Sequence, residues 1–383
     1  MRGRIALYYL VYYGGLGAAF PFLTLYLHAR GISAVVIGML MAANALAGMV
    51  AQPWLGALSD KARDARTVLM VSALLSPVAL AGYVAAHRGW LLWVTAVVTA
   101  VLQSASGPIF DAIAVRAGEE HGFSFGQARL WGALGFAVST VIAGYAYGRF
   151  GYAHLFWVYA VFSLASAAVL LAFPPQPRRA GMPILSGVRE VAGDARFLGF
   201  TSICFLLSLT SAVNFSFFGL YYQALHYPLT GLGANFSVAA VVEIPFFYIS
   251  GWLQARFGRP AVLCFGAGMY AVKYAVVAAA PPLWVLLAVQ ALDGVGFALT
   301  NSASVEMVNA LVPARWKATG QTAFAALSSG LSNIVGTAAG GLVMAAAGPQ
   351  WLYGALAAAA AAAALGFVAF GRWSGERLNT APE

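Results

Sequence analysis

Long apolar runs constrain this chain more than any other feature of its sequence. Twelve segments carry few charged side chains and are roughly 20 residues or longer, the length an α-helix needs to cross the hydrocarbon core of a bilayer. Backbone polar groups must be satisfied within lipid, so each segment is predicted to be a helix. The segments are about 5–28, 34–58, 67–87, 90–116, 125–148, 154–173, 197–225, 233–255, 260–280, 282–308, 317–346 and 350–371.

The composition agrees with a membrane protein. Of 383 residues, 61% are hydrophobic and only 9% are charged, whereas a soluble domain carries about 25% charged residues. A net charge of +9 would by itself also fit a nucleic-acid-binding protein. The charges, however, fall in short gaps between the apolar segments, so we expect a lipid bilayer and no nucleic acid as partner. The first segment is too long for a signal-peptide core and is predicted to remain as the first helix.

The distribution of basic residues predicts the orientation of the chain. With a cytoplasmic N-terminus, the cytoplasmic side holds seventeen of the 21 Lys and Arg residues. The other side holds only Arg30, Arg88 and Arg149, and Lys273 lies within the ninth segment. The positive-inside rule therefore places both termini in the cytoplasm, and we expect a multi-pass protein of the inner membrane.

The least hydrophobic stretch, 174–196, divides the twelve segments six against six. It reads "PPQPRRAGMPILSGVREVAGDAR" and predicts a cytoplasmic linker between an N-terminal bundle, 1–173, and a C-terminal bundle, 197–383. The gap after the second segment of each half looks alike, "GALSDKARDARTVL" (56–69) and "GWLQARFGRPAVL" (251–263). Such positioned similarity is typical of membrane proteins built from parallel repeats with a shared site at the midplane.

Ionisable side chains inside the predicted spans are few. On insertion scales, Arg, Lys or Asp at a helix centre costs about 2.5 to 3.5 kcal/mol, so such residues are candidates for function. Tyr8, Tyr9, Tyr12 and Tyr13 open the first helix, where an interfacial aromatic belt is expected, although Tyr12 or Tyr13 could also reach a cavity. The ionisable candidates are Asp111, Arg129, Glu243, Lys273, Asp293 and Glu306.

No pattern in the sequence indicates an enzyme, a metal site or a cofactor. Cys204 and Cys264 both fall within predicted helices, which argues against a disulfide framework and a metal site. All five histidines lie in loops or at helix ends, so no catalytic constellation forms in the membrane. The stretch "GFSFG" (Gly122–Gly126) matches a hydrolase motif, but it joins two membrane helices rather than a strand and a helix.

Four stretches of this sequence resemble the lactose-permease type of the major facilitator superfamily. They are "FPFLTLYLH" (Phe20–His28), "AQPWLGALSDK" (Ala51–Lys61), "PIFDAI" (Pro108–Ile113) and "FGQARLWGALGF" (Phe125–Phe136). "RLWG" within the last stretch and "KATGQ" (Lys317–Gln321) also fit the related phenylpropionate-permease group. The resemblance implies an all-α, twelve-helix, alternating-access transporter. Two pseudo-symmetric six-helix bundles would rock around a central cavity, and the protein would act as a monomer, usually driven by protons.

The resemblance also implies a substrate site in the first half. In the lactose-permease type, an acidic residue and an arginine with the separation of Asp111 and Arg129 bind the substrate. Physically, the guanidinium offers bidentate hydrogen bonds, and the carboxylate would compensate its charge when the site is empty. A purely structural pair is the alternative. Phe136 falls where the family stacks a Trp on the sugar ring, which argues against a galactoside.

In the second half the family pattern is altered. Lys273 and Asp293, 20 residues apart, stand where the family has an Arg and a His, and Gly296 stands where it has a carboxylate. Glu243 lies one turn from the family's glutamate position, which is Ala240 here. A carboxylate in a low-dielectric interior takes up a proton unless a cation is near, so Asp293 first and Glu243 second are predicted to be the proton-coupling acids, with Lys273 as counter-ion. A static buried Lys–Asp bridge is the alternative interpretation.

The loop after the second helix matches the family's gating motif. The resemblance assigns Gly56, Asp60 and Arg66 to a lock that holds one closed state, whereas the second copy has Ala255 in the Asp position. A cytoplasmic turn that only sets topology is the alternative.

The predicted function is therefore proton-coupled symport of a small organic solute such as a sugar, nucleoside or aromatic acid, with the proton as coupling ion. A drug/proton antiporter is the first alternative, although the stretch 138–152 lacks the Pro of the antiporters' fifth helix. A membrane receptor or enzyme is the second.

Overall fold

The structure is a computed structural model that describes residues 1–61, 64, 66–86, 89–104, 106–123, 125–174, 193–313 and 316–375. Throughout these residues the regular secondary structure is helical, without strands. Twelve helices in this part of the chain are long and apolar enough to cross a membrane. The predicted all-α, twelve-span architecture is thereby confirmed.

The helices follow the predicted apolar segments closely. The first six are α1 (Arg2–Ala29), α2 (Ala34–Lys61), α3 (Arg66–Ala85), α4 (segments Trp90–Ser104 and Ser106–His121), α5 (Phe125–Phe150) and α6 (His154–Leu171). The next six are α7 (Ala195–Ala224), α8 (Leu229–Phe257), α9 (Arg259–Ala278), α10 (Leu283–Leu311), α11 (Lys317–Ala325, a π-helical turn Ala326–Gly330, and Leu331–Ala347) and α12 (Pro349–Ser374). Several helices extend a few residues beyond their apolar segments.

The chain divides into two compact units. The first comprises Met1–Met182 and His226–Ser237, and the second comprises Pro183–Leu225 and Val238–Glu383. The start of α8 thus groups with the first unit. A Cβ at Gly233 would lie 2.3 Å from the carbonyl oxygen of Thr140 on α5, so the two helices touch there. The predicted linker, 174–196, lies mostly outside the described residues, and the boundaries 1–173 and 197–383 stay a prediction.

Small residues bring α1 and α5 into backbone contact. A Cβ at Gly135 would lie 2.1 Å from the carbonyl oxygen of Leu10, and a Cβ at Gly17 would lie 2.7 Å from the carbonyl oxygen of Phe136. Glycine is therefore needed at both positions for the helices to approach this closely, as is common in membrane helix packing. This approach places the aromatic side chains of α1 against the polar residues at the start of α5.

Arginines tie both ends of α1 to neighbouring helices. Arg4 donates a hydrogen bond to the carbonyl oxygen of Ala172 at the end of α6, over 2.6 Å. Arg30, just beyond α1, donates to the carbonyl oxygen of Val84 in the last turn of α3, over 3.0 Å. The last carbonyls of a helix lack intrahelical partners and carry partial negative charge, so a guanidinium stabilises them. From the sequence alone, these arginines served only to predict the orientation of the chain in the membrane.

Replacing Gly135 by Ala is expected to destabilise the first unit. The new methyl group would meet the Leu10 backbone, which moves only if α1 shifts, and overpacking of this kind costs about 1–3 kcal/mol. The measurement is thermal unfolding of the purified protein in detergent. Gly354→Ala on α12 is the matched control, because a Cβ there meets no atom within 4 Å. Equal melting temperatures for Gly135→Ala and the control would contradict the packing described here.

Candidate functional site

The four tyrosines in the first half of α1 form two stacked pairs. Tyr9 and Tyr13 stack with ring centroids 6.1 Å apart, and Tyr8 and Tyr12 stack at 5.7 Å. Residues four apart lie on the same face of a helix, so the pattern places each pair on its own stripe. The hydroxyl of Tyr9 donates a hydrogen bond to Oδ1 of Asp111 over 2.6 Å. The sequence-predicted carboxylate is thus held by a tyrosine of α1.

Arg129, at the start of α5, lies over Tyr13, the tyrosine that stacks with Tyr9. Its guanidinium carbon is 3.9 Å from the ring centroid of Tyr13, a close cation–π contact. Gly132 makes room for this contact, because a Cβ there would lie 2.7 Å from Arg129 Nη1 and 2.8 Å from Tyr13 Cδ2. Tyr9 and Tyr13 therefore hold Asp111 and Arg129 side by side.

Asp111 and Arg129 are near each other but not in contact. Their charges interact through space, yet the ion pairs found among the described residues do not include this one. In this state of the molecule Asp111 accepts its hydrogen bond from Tyr9, and its role as the counter-charge of Arg129 stays a prediction. Sequence reasoning treated the tyrosines chiefly as an interfacial belt. Their spacing at 8, 9, 12 and 13 was the available signal that they form two stripes.

Phe136 lies one turn beyond Gly132 on α5. Its ring is half-buried and packs edge to face on Phe236, with centroids 6.5 Å apart. It is therefore part of the packing between α5 and the start of α8, and its role in stacking on a solute stays a prediction.

The second unit contains a buried ion pair. Nζ of Lys273 on α9 lies 2.5 Å from Oδ1 of Asp293 on α10. The Lys273 side chain has no exposed surface, whereas 24% of the Asp293 side chain is exposed. The ammonium also lies 5.1 Å from the ring centroid of Tyr274 and 5.9 Å from that of Phe218. The structure thus brings together the two residues that the sequence analysis paired.

Two glycines of α10 shape the surroundings of this pair. A Cβ at Gly294 would lie 2.9 Å from the backbone nitrogen of Glu243, so α8 passes directly beside Asp293's helix. A Cβ at Gly296 would lie 3.0 Å from the ring of Tyr270. At Gly296 the family carries a carboxylate side chain. In this protein the ring of Tyr270 from α9 lies against that site and leaves little space for a side chain. Asp293 and Glu243 both lie within electrostatic range of Tyr270.

The predicted gating residues are only partly described. Gly56 and Asp60 lie in α2, but the Asp60 side chain falls outside the described part of the molecule. Arg66 pairs with Asp64, with Nη2 and Oδ2 2.6 Å apart, and donates to the carbonyl oxygen of Phe173 after α6. The gating role of Gly56, Asp60 and Arg66 stays a prediction.

Other polar groups do not extend either cluster. Glu306 is exposed and lines a crevice of about 890 Å³ with Gln254 and Arg259. Across the described ranges, His, Cys, Asp and Glu do not form a group of three or more that could hold a metal ion.

Residues 3–355 of the chain match the model of the MFS_1 like family. This chain belongs to that family. It is 30% identical over 352 residues to maltose permease from Geobacillus stearothermophilus, which covers 91% of this chain and 88% of the permease. It is 26% identical over 319 residues to a probable 3-phenylpropionic acid transporter from Escherichia coli, which covers 80% of this chain and 82% of that protein. This MFS_1 like protein is therefore a membrane transporter rather than an enzyme.

A solved structure supports the fold of this MFS_1 like protein. The crystal structure of the nucleoside transporter NupG matches with a TM-score of 0.85, covering 96% of this chain and 98% of NupG. The two sequences are only 16% identical, so the match shows a shared fold. The predicted major facilitator fold is thereby confirmed.

Asp293→Asn is expected to destabilise this MFS_1 like protein, because it leaves the fully buried Lys273 without its counter-ion. Removing one member of a buried pair costs about 3–5 kcal/mol. The double variant Lys273→Met with Asp293→Asn is expected to recover most of that loss, since neither charge remains. Thermal unfolding of the three proteins is the measurement. A single variant as stable as the wild type would show that the pair contributes nothing to the fold.

Proposed function

We propose that this protein is a proton-coupled symporter of a small organic solute in the inner membrane, working as a monomer with both termini in the cytoplasm. The proton is its coupling ion, and no other cofactor takes part. The observation that carries the proposal is the Lys273–Asp293 ion pair inside two membrane helices. An ion pair there is costly compared with apolar packing, which favours a functional reason for it.

The asymmetry of this pair suits proton coupling. Lys273 has no exposed surface, whereas Asp293 is partly exposed and is therefore the member that exchanges protons with water. A carboxylate in a low-dielectric interior takes up a proton when it is unpaired and stays ionised beside a cation. A shift of α9 against α10 would thus load or release one proton. Glu243 is the second candidate acid, because it lies with Asp293 around Tyr270.

The first unit supplies the groups that bind the solute. Oδ1 of Asp111 accepts from Tyr9, which leaves Oδ2 for a solute hydroxyl. The guanidinium of Arg129 offers a fork of donors and lies over the ring of Tyr13. Charged hydrogen-bonding groups beside aromatic rings suit a sugar, a nucleoside or an aromatic acid. Relatives described as a maltose permease and a probable 3-phenylpropionic acid transporter support solutes of this kind.

Arg129→Lys is expected to weaken solute binding about tenfold or more, equivalent to about 1.4 kcal/mol. The positive charge is kept, but the bidentate fork and the close cation–π contact of the guanidinium with Tyr13 are lost. A thermal-shift screen over sugars, nucleosides and aromatic acids first identifies a ligand, and isothermal titration then compares affinities. Arg149→Lys, near the other end of α5 and exposed, is the control. Unchanged affinity in Arg129→Lys would remove this residue from the solute site.

Asp293→Asn is expected to abolish uphill accumulation of the solute while sparing exchange of solute across the membrane. An amide cannot bind and release the coupling proton, but the solute site in the first unit is unchanged. The measurement is uptake into energised vesicles with and without a protonophore. Accumulation that survives the substitution would place the coupling acid elsewhere. Movement of the solute in the direction opposite to that of the protons would instead indicate the drug/proton antiporter.

A further inference from the structure

The second tyrosine stripe of α1 borders a small internal cavity that the solute and proton sites do not use. The cavity has a volume of about 20 Å³ and lies among α1, α3, α4 and α6 of the first unit. Polar side chains make up much of its wall. Those that matter here are Tyr8, Tyr12, Ser76, Gln103, Tyr159 and Ser163.

One side of the cavity is an ordered hydrogen-bond network centred on Tyr159. Its hydroxyl lies 3.0 Å from Oγ of Ser76 and accepts from Nε2 of Gln103 over 2.9 Å. Ser163 lies 3.3 Å from Ser76 and donates to the carbonyl oxygen of Ala73 over 2.7 Å. Side chains from three helices thus converge on one hydroxyl.

The other side of the cavity is formed by Tyr8 and Tyr12 of α1, whose hydroxyls do not belong to the hydrogen-bond network of Tyr159. Tyr8 is only 1% exposed. Tyr12 is partly buried. Both tyrosines line the cavity, and within the described ranges no hydrogen bond of either hydroxyl to another protein group is found. Burying a hydroxyl without a hydrogen bond costs on the order of 1–3 kcal/mol, so native structures satisfy such groups.

The dimensions of the cavity fit a single water molecule. A cavity needs a volume of roughly 10–15 Å³ to hold one water, and a buried water makes about three hydrogen bonds. We propose that the cavity is a binding site for one ordered water. This water bridges the hydroxyls of Tyr8 and Tyr12 to the network of Tyr159, Ser76 and Gln103.

The water site bears on the solute cluster through the aromatic rings. Tyr8 stacks on Phe110 with ring centroids 3.7 Å apart, and Phe110 directly precedes Asp111. The ring of Tyr8 thus links the water site to the residue that precedes Asp111. The water site is independent of which solute is transported and of its coupling to protons.

Hydroxyl-radical footprinting with X-rays tests the proposal, because radicals formed from a bound water oxidise the side chains that touch it. In the wild-type protein, Tyr8 and Tyr159 are expected to be oxidised several-fold faster than equally buried tyrosines without a cavity. The controls are Tyr147 and Tyr221, which are 2% and 0% exposed and whose hydroxyls donate to backbone carbonyl oxygens. Equal oxidation of all four tyrosines would overturn the proposal.

A cavity-filling variant locates the water. Ser76→Val adds a methyl group to the wall and removes a polar partner, so oxidation of Tyr159 is expected to fall towards that of Tyr147. Thr99→Val is the matched control, since Thr99 is 1% exposed on α4 and does not line the cavity. Oxidation of Tyr159 that is unchanged by Ser76→Val would place the water elsewhere and contradict the proposed site. If Ser76→Val does not fold, the wild-type comparison decides.

Discussion

The bilayer interior does not tolerate an isolated charge, and the arrangement of this protein's polar residues follows from that constraint. Lys273 has no exposed surface and is stable there because Asp293 lies 2.5 Å away. Arg129 rests on an aromatic ring, and Asp111 accepts a tyrosine hydroxyl. Even the arginines at the ends of α1 neutralise exposed helix carbonyls. Each charge is therefore also a structural link between helices.

The two units meet this constraint in different ways. In the second unit, opposite charges touch, so protonation of one partner changes the interaction between α9 and α10 directly. In the first unit, Asp111 accepts a hydrogen bond from Tyr9 and Arg129 lies over the ring of Tyr13, which leaves hydrogen-bonding capacity on both charged groups. We infer that the arrangement in the first unit suits the binding of a solute and that the ion pair in the second unit suits a proton. The difference arises from side chains on α1, which has no charged residue near its middle.

Close helix approach makes both arrangements possible. Gly132 and Gly135 let α5 reach α1, so that Tyr13 lies under Arg129. Gly294 and Gly296 do the same for α10, which packs against α8 and the ring of Tyr270. These glycines look alike in the sequence, and nothing in their spacing shows which neighbour each one meets. Their partners come from helices more than a hundred residues away in the first unit and some twenty to fifty in the second.

The sequence alone determined the number and approximate limits of the spans. The length of an apolar segment is a local property, and the thickness of the hydrocarbon core sets the length that each segment needs to cross it. It also determined which ionisable residues lie inside them, and it paired Lys273 with Asp293 through a resemblance. Only the tertiary structure decided that Tyr9, rather than Arg129, bonds Asp111, and that a tyrosine fills the position beside Gly296. Contacts of this kind depend on the rotation and depth of each helix against its neighbours, and those are set by packing between distant segments rather than by any local pattern.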